Sequence, residues 1–391
     1  MRVDPVLDRL GLAERHLSPA AQGALRELDE VLEERIRPLL ADAWERAVMP
    51  DEVLDALVPL DLMTPRGVSA DEAGSSMFSG FRNYVLARCD VSVATMYNAQ
   101  AGLFRAIVRH GGSAEQAARW DPLITRFEMR GVFALTEPDH GSDVAGGLAT
   151  TARRDGDAWI LDGEKKWIGG ADRADVLTIF ARDAEDGAVK AFLVDREAAG
   201  VSLEPIDGKV SLRIMQNFRI RLDGVHVAED RRLHGIDSWR DVAAVLRRMR
   251  SDVAWIAAGL QAGALDAAVR YATEREQFGR PIGGFQLVQE KLARMLGNAT
   301  ASLTHAVALS AHQDAGRWSD ENSALAKMVT AASARETVAL AREVLGGNGL
   351  LLENDAARFF ADAEAVYSYE GTHEINALIV GRSLTGASAF V

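Results

Sequence analysis

Apolar positions recur along this chain at two different periods, and the changes of period divide it into three parts. Up to residue 129 the spacing is helical. Ser18-Pro19 reads as a helix start, with proline at the first helical position, where its missing N–H matters least. Leu25, Leu28, Val31 and Leu32 then fall on one apolar stripe. The same spacing returns over Glu52 to Leu62 and Gly80 to His110, with the glycine- and serine-rich stretch Gly67 to Gly80 as a break. From Arg130 to about Leu233 the period shortens toward two. Trp159 to Ile168 and Phe218 to Val227 each carry a central Asp-Gly pair, which predicts two hairpins and an antiparallel sheet. From Asp237 onward helical spacing resumes, over Asp252 to Arg275, Phe285 to Ala315 and Asp320 to Leu345, the last stopped by Gly346-Gly347. Long helices joined by short links predict a bundle. The fold class is therefore α+β multidomain, with an N-terminal α-helical domain (1–129), a middle antiparallel β domain (130–235) and a C-terminal α-helical bundle (236–391).

Composition narrows the function. The chain has 391 residues, 48% hydrophobic and 26% charged, an ordinary globular balance and too long for a single core. No apolar run reaches the roughly 18 residues of a membrane helix. The N-terminus lacks a signal-peptide pattern and the Val391 end a peroxisomal address, so a cytoplasmic location is expected. With Cys89 alone there is no disulfide framework and no thiolate metal site. A net charge of −13 argues against nucleic acid and against anionic membrane as partners. Against that background Arg247, Arg248 and Arg250 stand out, either as a solvated helix face or as a landing site for a phosphate-bearing ligand.

Several familiar sites are missing. There is no phosphate-binding P-loop, no H-E-x-x-H zinc motif and no G-x-S-x-G nucleophile elbow. Gly346-Gly-Asn-Gly349 lacks the preceding strand of a dinucleotide fold, and His305 and His312 on an apolar helix read as structural. Four segments remain. Phe133 to Asp143 is a strand end running into a loop rich in hydroxyls and free amides, suited to a polar heterocycle rim or a phosphate. Trp167-Ile168-Gly169-Gly170 sets an indole beside a backbone that can be approached closely. Arg275 to Pro281 ends a long helix. Tyr369-Glu-Gly-Thr-His-Glu-Ile-Asn376 places a carboxylate beside a glycine between two helical segments. Each alone has a plain structural explanation; Glu370 alone is most simply a solvated turn residue. If buried, its pKa would rise and make it a general base.

Together these segments resemble the acyl-CoA dehydrogenase family over nearly the whole chain, with Thr136-Glu-Pro-x-x-Gly-Ser-Asp143, Trp167-Ile168, Arg275-x-Gln-Phe-Gly279, Gly346-Gly-Asn-Gly349 and Tyr369-Glu-Gly-Thr372 as the carrying motifs. The ending through Arg382, Leu384-Thr-Gly386 and Phe390 is similar to the branch of glutaryl-CoA dehydrogenases and plant short-chain acyl-CoA oxidases. The resemblance implies a four-helix C-terminal bundle, a homotetramer, FAD bound between subunits and electron-transfer flavoprotein as acceptor. It implies that Glu370 takes the α-proton of an acyl-CoA while hydride passes to flavin N5. It places Phe133, Leu135, Thr136, Ser142, Trp167, Ile168 and Gly169 along the flavin, with Thr372 and Glu374. Arg275, Phe278, Gln286, Glu343, Gly346 and Gly347 would hold the FAD of a neighbouring subunit. Ser142, Arg247, Arg250, Gly371 and Phe390 would meet the substrate, with Ala94 and Thr95 at the acyl end.

Two positions depart from the relatives. Ala94 stands where glutaryl-CoA dehydrogenases carry an arginine for the distal carboxylate, and Ala87 replaces a second polar partner. Without a cation a buried carboxylate is costly, so a short uncharged acyl chain is expected. Gly169 stands where dehydrogenases usually have threonine beside flavin N5; the plant short-chain oxidase also has glycine here and shares a run like Met215-Gln216-Asn217, and an oxygen path to reduced flavin would make the protein an oxidase. The remaining alternatives are a glutaryl-CoA dehydrogenase with its partner elsewhere, an acyl group on a carrier protein, and a non-catalytic flavin- or CoA-binding module.

Overall fold

The computed structural model describes residues 10–389. The order along the chain is helical, then β, then helical. The chain divides into two compact units. One comprises the residues up to Thr95, Val210–Ile214 and the residues from Arg250 onward; the other comprises Met96–Lys209 and Met215–Met249.

The principal helices of the first third are α1 (Pro19–Val31), α2 (Ser76–Cys89), α3 (Val91–Asn98), α4 (Arg105–Gly111) and α5 (Ala114–Thr125). The Ser18 hydroxyl accepts the Ala21 N–H and Pro19 opens α1, as its sequence dictates. The stretch Gly67 to Gly80 is not an open break. It contains a helical turn at Ala70–Ala73 and the first turn of α2, each capped by a serine, Ser69 and Ser75. The predicted continuous helix over Gly80 to His110 is interrupted at Asp90. That carboxylate accepts the N–H groups of Ser92 and Val93 at 2.8 and 3.1 Å and starts α3 afresh.

The second unit holds a seven-stranded sheet: β1 (Gly131–Ala134), β2 (Thr151–Asp155), β3 (Ala158–Gly169), β4 (Val176–Asp183), β5 (Val189–Asp195), β6 (Val201–Pro205) and β7 (Asn217–Ala228). The order is β1-β4-β2-β3-β7-β6, with β5 on the other edge of β4. The sheet is mixed, which corrects the antiparallel expectation: β1 and β2 both run parallel to β4. The reason is that β1 and β2 are joined by a loop and a helical turn, Val144–Gly147, rather than a tight turn, so they follow β4 in the same direction.

The Asp-Gly pairs are also corrected. Neither closes a hairpin; each lies inside a long strand, and β3 and β7 pair antiparallel along most of their length. The pairs face one another across a register shift between Leu161 and Gly163, where Asp162 accepts the Gly224 N–H at 2.7 Å. Positive φ is needed here, 147° at Gly163 and 60° at Gly224, but it builds a bulge instead of a turn. The true β2–β3 hairpin turns at Gly156, φ 59°.

In the first unit α6 (Trp239–Glu274, with only its part from Arg250 onward belonging here), α7 (Gln286–Asp314), α8 (Asp320–Leu345) and α9 (Asp355–Ser368) form the bundle, followed by α10 (His373–Thr385). Helix α6 begins well before the predicted Asp252, because the arginine-rich stretch is helical and Ser238 caps it through Asp241. Gln261, fully buried, links three helices: its amide donates to Ser302 of α7 and accepts from Ser333 and Thr337 of α8. A Cβ at Gly80 would lie 2.1 Å from the Trp255 indole, so this glycine is what lets α2 meet α6. Among the described residues no helix is long and apolar enough to cross a membrane, and no acidic, histidine or cysteine cluster could hold a metal.

Candidate active site

In the first unit the carboxylate singled out from sequence sits in the turn between α9 and α10. Helix α9 ends at Ser368, Glu370 takes φ 55° and Gly371 φ 89°. Two successive left-handed residues reverse the chain within a few bonds. Glycine does this freely; glutamate pays about 1 kcal/mol for it. Thr372 then caps α10 by accepting the Ile375 N–H at 3.3 Å. Buried Asn376 donates to the carbonyls of Gly371 and Thr372, both at 2.9 Å.

Burial raises the pKa of the Glu370 carboxyl, while Arg250 of α6 and Lys327 of α8 pull against that rise. Lys327 is fully buried and donates to the carbonyls of Tyr367 at 2.7 Å and Gly371 at 2.8 Å. Its own pKa is lowered to about 8 by burial, an effect opposed by Glu370 and Glu374 and reinforced by Arg250. The Tyr369 hydroxyl is buried beside Thr95, and burial with the surrounding acids pushes its pKa up. Ala94 and Ala87 are completely buried. The arginines near them on the same stretch of chain are engaged: Arg88 pairs with Asp266 at 2.7 Å and Asp29 at 3.3 Å, and buried Arg82 donates to the Leu62 carbonyl. A partly buried carboxylate of raised pKa, steered by two cations, is equipped to take a proton from a weak carbon acid. Glu374 on the outer face of α10 is exposed. Phe390 lies outside the described residues.

The second unit carries the other set. Loop Thr136–Asp143 is pinned at its start, where the Thr136 carbonyl accepts the Lys166 N–H at 2.8 Å. Within it Glu137 is buried and accepts from the backbone of Ala149 and Thr150 and from Lys165, itself fully buried, at 2.7 Å. Ser142 is exposed, Phe133 and Thr136 are half-buried, and Leu135 and Ile168 are buried. Trp167 sits in a bulge of β3 with φ 66° and its indole 52% exposed. A large aromatic held open in a left-handed backbone is what a stacking surface requires. Gly169 does not border empty space: a Cβ there would lie 2.6 Å from the Met215 Cε methyl. Arg247 and Arg248 belong to this unit, with Arg248 beside Arg109, so the arginine stretch is divided at Met249.

The remaining predicted residues lie on the bundle surface. Arg275, Gln286, Glu343, Gly346 and Gly347 are exposed, with Glu343 paired to Lys291 at 2.6 Å. Phe278 is 94% exposed at φ 51°. Missed from sequence were Lys327 and the Glu137–Lys165 pair; Met215 stood out only as part of the Met215-Gln216-Asn217 run, not as a neighbour of Gly169. A lone lysine among the small residues Ala324, Ala326, Thr330 and Ala331 on one face of α8 was a legible signal for the first.

The sequence matches the descriptions "Acyl-CoA dehydrogenase, N-terminal domain" over 18–128, "middle domain" over 132–225 and "C-terminal domain" over 238–385. The chain belongs to the acyl-CoA dehydrogenase family. It is an oxidoreductase of that family with its three-part fold. It is 31% identical over 306 residues to the short-chain specific acyl-CoA dehydrogenase of Mus musculus, covering 76% of this chain and 73% of that one. It is 33% identical over 281 residues to the glutaryl-CoA dehydrogenase of Desulfococcus multivorans, covering 70% and 72%. Among solved structures, a glutaryl-CoA dehydrogenase from Mycobacterium smegmatis in complex with FADH2 superposes with TM-score 0.91 at 29% identity, covering 99% of both chains. Within the second unit the residues fit a flavin: the open indole of Trp167 offers a stacking face.

Proposed function

We propose that this acyl-CoA dehydrogenase homologue converts a short, uncharged acyl-CoA to the 2-enoyl-CoA, with Glu370 removing the α-proton. The observation that carries the reading is Glu370 itself, a non-glycine residue in a left-handed turn with a partly buried carboxyl of raised pKa. A thioester α-proton is a very weak acid, so its base must be desolvated and close, and Gly371 allows the backbone to approach the thioester. FAD, held by Phe133, Leu135, Thr136, Ser142, Trp167 and Ile168, with Arg275, Phe278, Gln286, Glu343, Gly346, Gly347 and Thr372, supplies the two-electron acceptor when bound. Ser142, Arg247, Arg250 and Gly371 serve the CoA and thioester. A homotetramer, with electron-transfer flavoprotein as the acceptor, completes the reading.

Both Ala94 and Ala87 are buried and Arg82 and Arg88 are engaged elsewhere, which favours an uncharged acyl chain over glutaryl. The oxidase reading drew on Gly169. The Met215 methyl, 2.6 Å from where a side chain would begin, fills that gap and favours the dehydrogenase. The experiment is an anaerobic titration of flavin absorbance with butyryl-, isobutyryl-, isovaleryl-, hexanoyl- and glutaryl-CoA, followed by admission of air. Bleaching by an uncharged short chain, with slow return of colour in air, is the expected result. Bleaching by glutaryl-CoA alone, or by none of the panel, overturns it.

A further inference from the structure

We propose that Lys327 is a positioning residue for the general base, tying down the carbonyls on either side of Glu370 and adding a positive charge that acts on its carboxylate. This rests on the assignment of Glu370 as base. The geometry is specific. Tyr367 lies near the C-terminal end of α9, where backbone carbonyls have run out of helical partners, and Gly371 lies just beyond the left-handed pair. The two acceptors therefore bracket Glu370 in sequence, and one ammonium from α8 reaches both, at 2.7 and 2.8 Å. An ammonium is a point donor with three N–H groups, so it can serve two carbonyls that point in different directions. Asn376 supplies a second donor to Gly371 from α10, and the turn is thus held from two helices.

The position is costly unless it is used. Lys327 has no exposed surface, and a buried cation needs compensating charge. The acids that supply it are Glu370 in the turn and Glu374 on α10, while Arg250 on α6 opposes. Glu370 in turn feels burial first, then Arg250, then Lys327. On the remaining side Tyr369 faces Thr95, and its hydroxyl is influenced by Glu370, Asp362 and Asp252. Lys327 is thus one of two cations that oppose the rise burial imposes on the base, and the one that also holds its backbone. Methionine or leucine would fill the volume and lose both effects, whereas arginine would keep the charge.

The test uses the FAD-loaded enzyme and rapid mixing with butyryl-CoA across a range of pH. Lys327→Met should shift the acid limb of the bleaching rate upward by about one pH unit, because an opposite charge nearby depresses a carboxylate by that order. Lys327→Arg should leave the limb close to wild type. An unchanged limb in a Lys327→Met enzyme that binds FAD overturns the proposal. A second measurement keeps the native lysine: the ε-carbon resonance of Lys327 is titrated in wild type and in Glu370→Gln. Neutralising Glu370 should lower the lysine pKa from about 8, and no change overturns the proposal even if Lys327→Met fails to fold. Full bleaching by Glu370→Gln would instead refute the assignment of the base, a result distinct from either outcome.

Discussion

At the scale of single residues, the left-handed Glu370 sets stability against function. Burial raises its pKa in the native state above the unfolded value near 4.5. Between those two values the native state binds more protons, so its contribution to stability falls as pH rises through the window and stays low above it. The bleaching rate runs the other way, because the base must be ionised. Glu370→Gln should therefore abolish bleaching with FAD retained, and gain urea stability relative to wild type near pH 8 but not near pH 4. Glu370→Gly should add relief of about 1 kcal/mol from the turn. Equal stability differences at both pH values would show that the carboxyl is not desolvated. The same scale governs Met215. Met215→Ala should open the space beside Gly169 and speed return of flavin colour in air, while Gly169→Thr should be accommodated by a shift of the flexible Met215 tip and melt closer to wild type when combined with Met215→Ala. Stopped-flow reoxidation and thermal melts of the single and double variants measure both effects.

Elements carry the second kind of argument, and the loop Thr136–Asp143 shows it best. Its scaffold is an ion pair with side chains 0% and 3% exposed, Lys165 of β3 against Glu137. Burial alone would raise the Glu137 pKa, but Lys165 and the hydrogen bonds from Thr150 and Ala149 hold it low. Removing one partner leaves the other charge buried. Lys165→Met should cost about 3–5 kcal/mol in urea denaturation, and Lys165→Met with Glu137→Leu should recover most of it. If the double variant is no better than the single, the pair is not the cause. Why the sequence showed so much here, and so little elsewhere, follows from the same physics. Helices α1, α7 and α8 were legible because caps and apolar stripes are local, and the motif residues of the flavin loop were legible as a resemblance. The sheet was misread because Asp-Gly encodes only a positive φ. Whether that φ makes a turn or a bulge is settled by the partner strand, here the matching Asp-Gly pair of β7 and the close approach of Thr150 to Gly163, 2.7 Å from a Cβ that glycine lacks. Likewise Asp90 divides a stripe that looked continuous because its carboxylate competes for backbone N–H groups. What Lys327 and Met215 contact was not legible because their partners, the Tyr367–Gly371 turn and Gly169, are distant in sequence.

For the molecule as a whole, the informative quantity is apolar surface left in the open on a chain of net charge −13. Phe278 is 94% exposed, Leu287 79% and Leu350 67%, all in the first unit. The Asn348 amide donates to the Tyr271 hydroxyl at 2.8 Å, which ties the Gly346–Leu350 turn to the end of α6 that leads into Arg275 and Phe278. Phe278 also meets Phe285 edge-on, with Arg280 over the Phe285 ring. A large apolar side chain contributes about 1.5–3 kcal/mol when fully buried, and a self-association that covers Phe278 and Leu287 in every copy gains this repeatedly. The proposed assembly is the homotetramer with FAD bound between subunits. Phe278→Asp places a charge where that gain would be made. It should shift the sedimentation profile toward smaller species and lower the FAD content of the purified protein in parallel, while far-UV circular dichroism stays unchanged, since Phe278 packs in no core of its own subunit. Loss of FAD with the assembly intact would assign Phe278 to the cofactor alone, and loss of assembly with FAD retained would place the flavin wholly within one subunit.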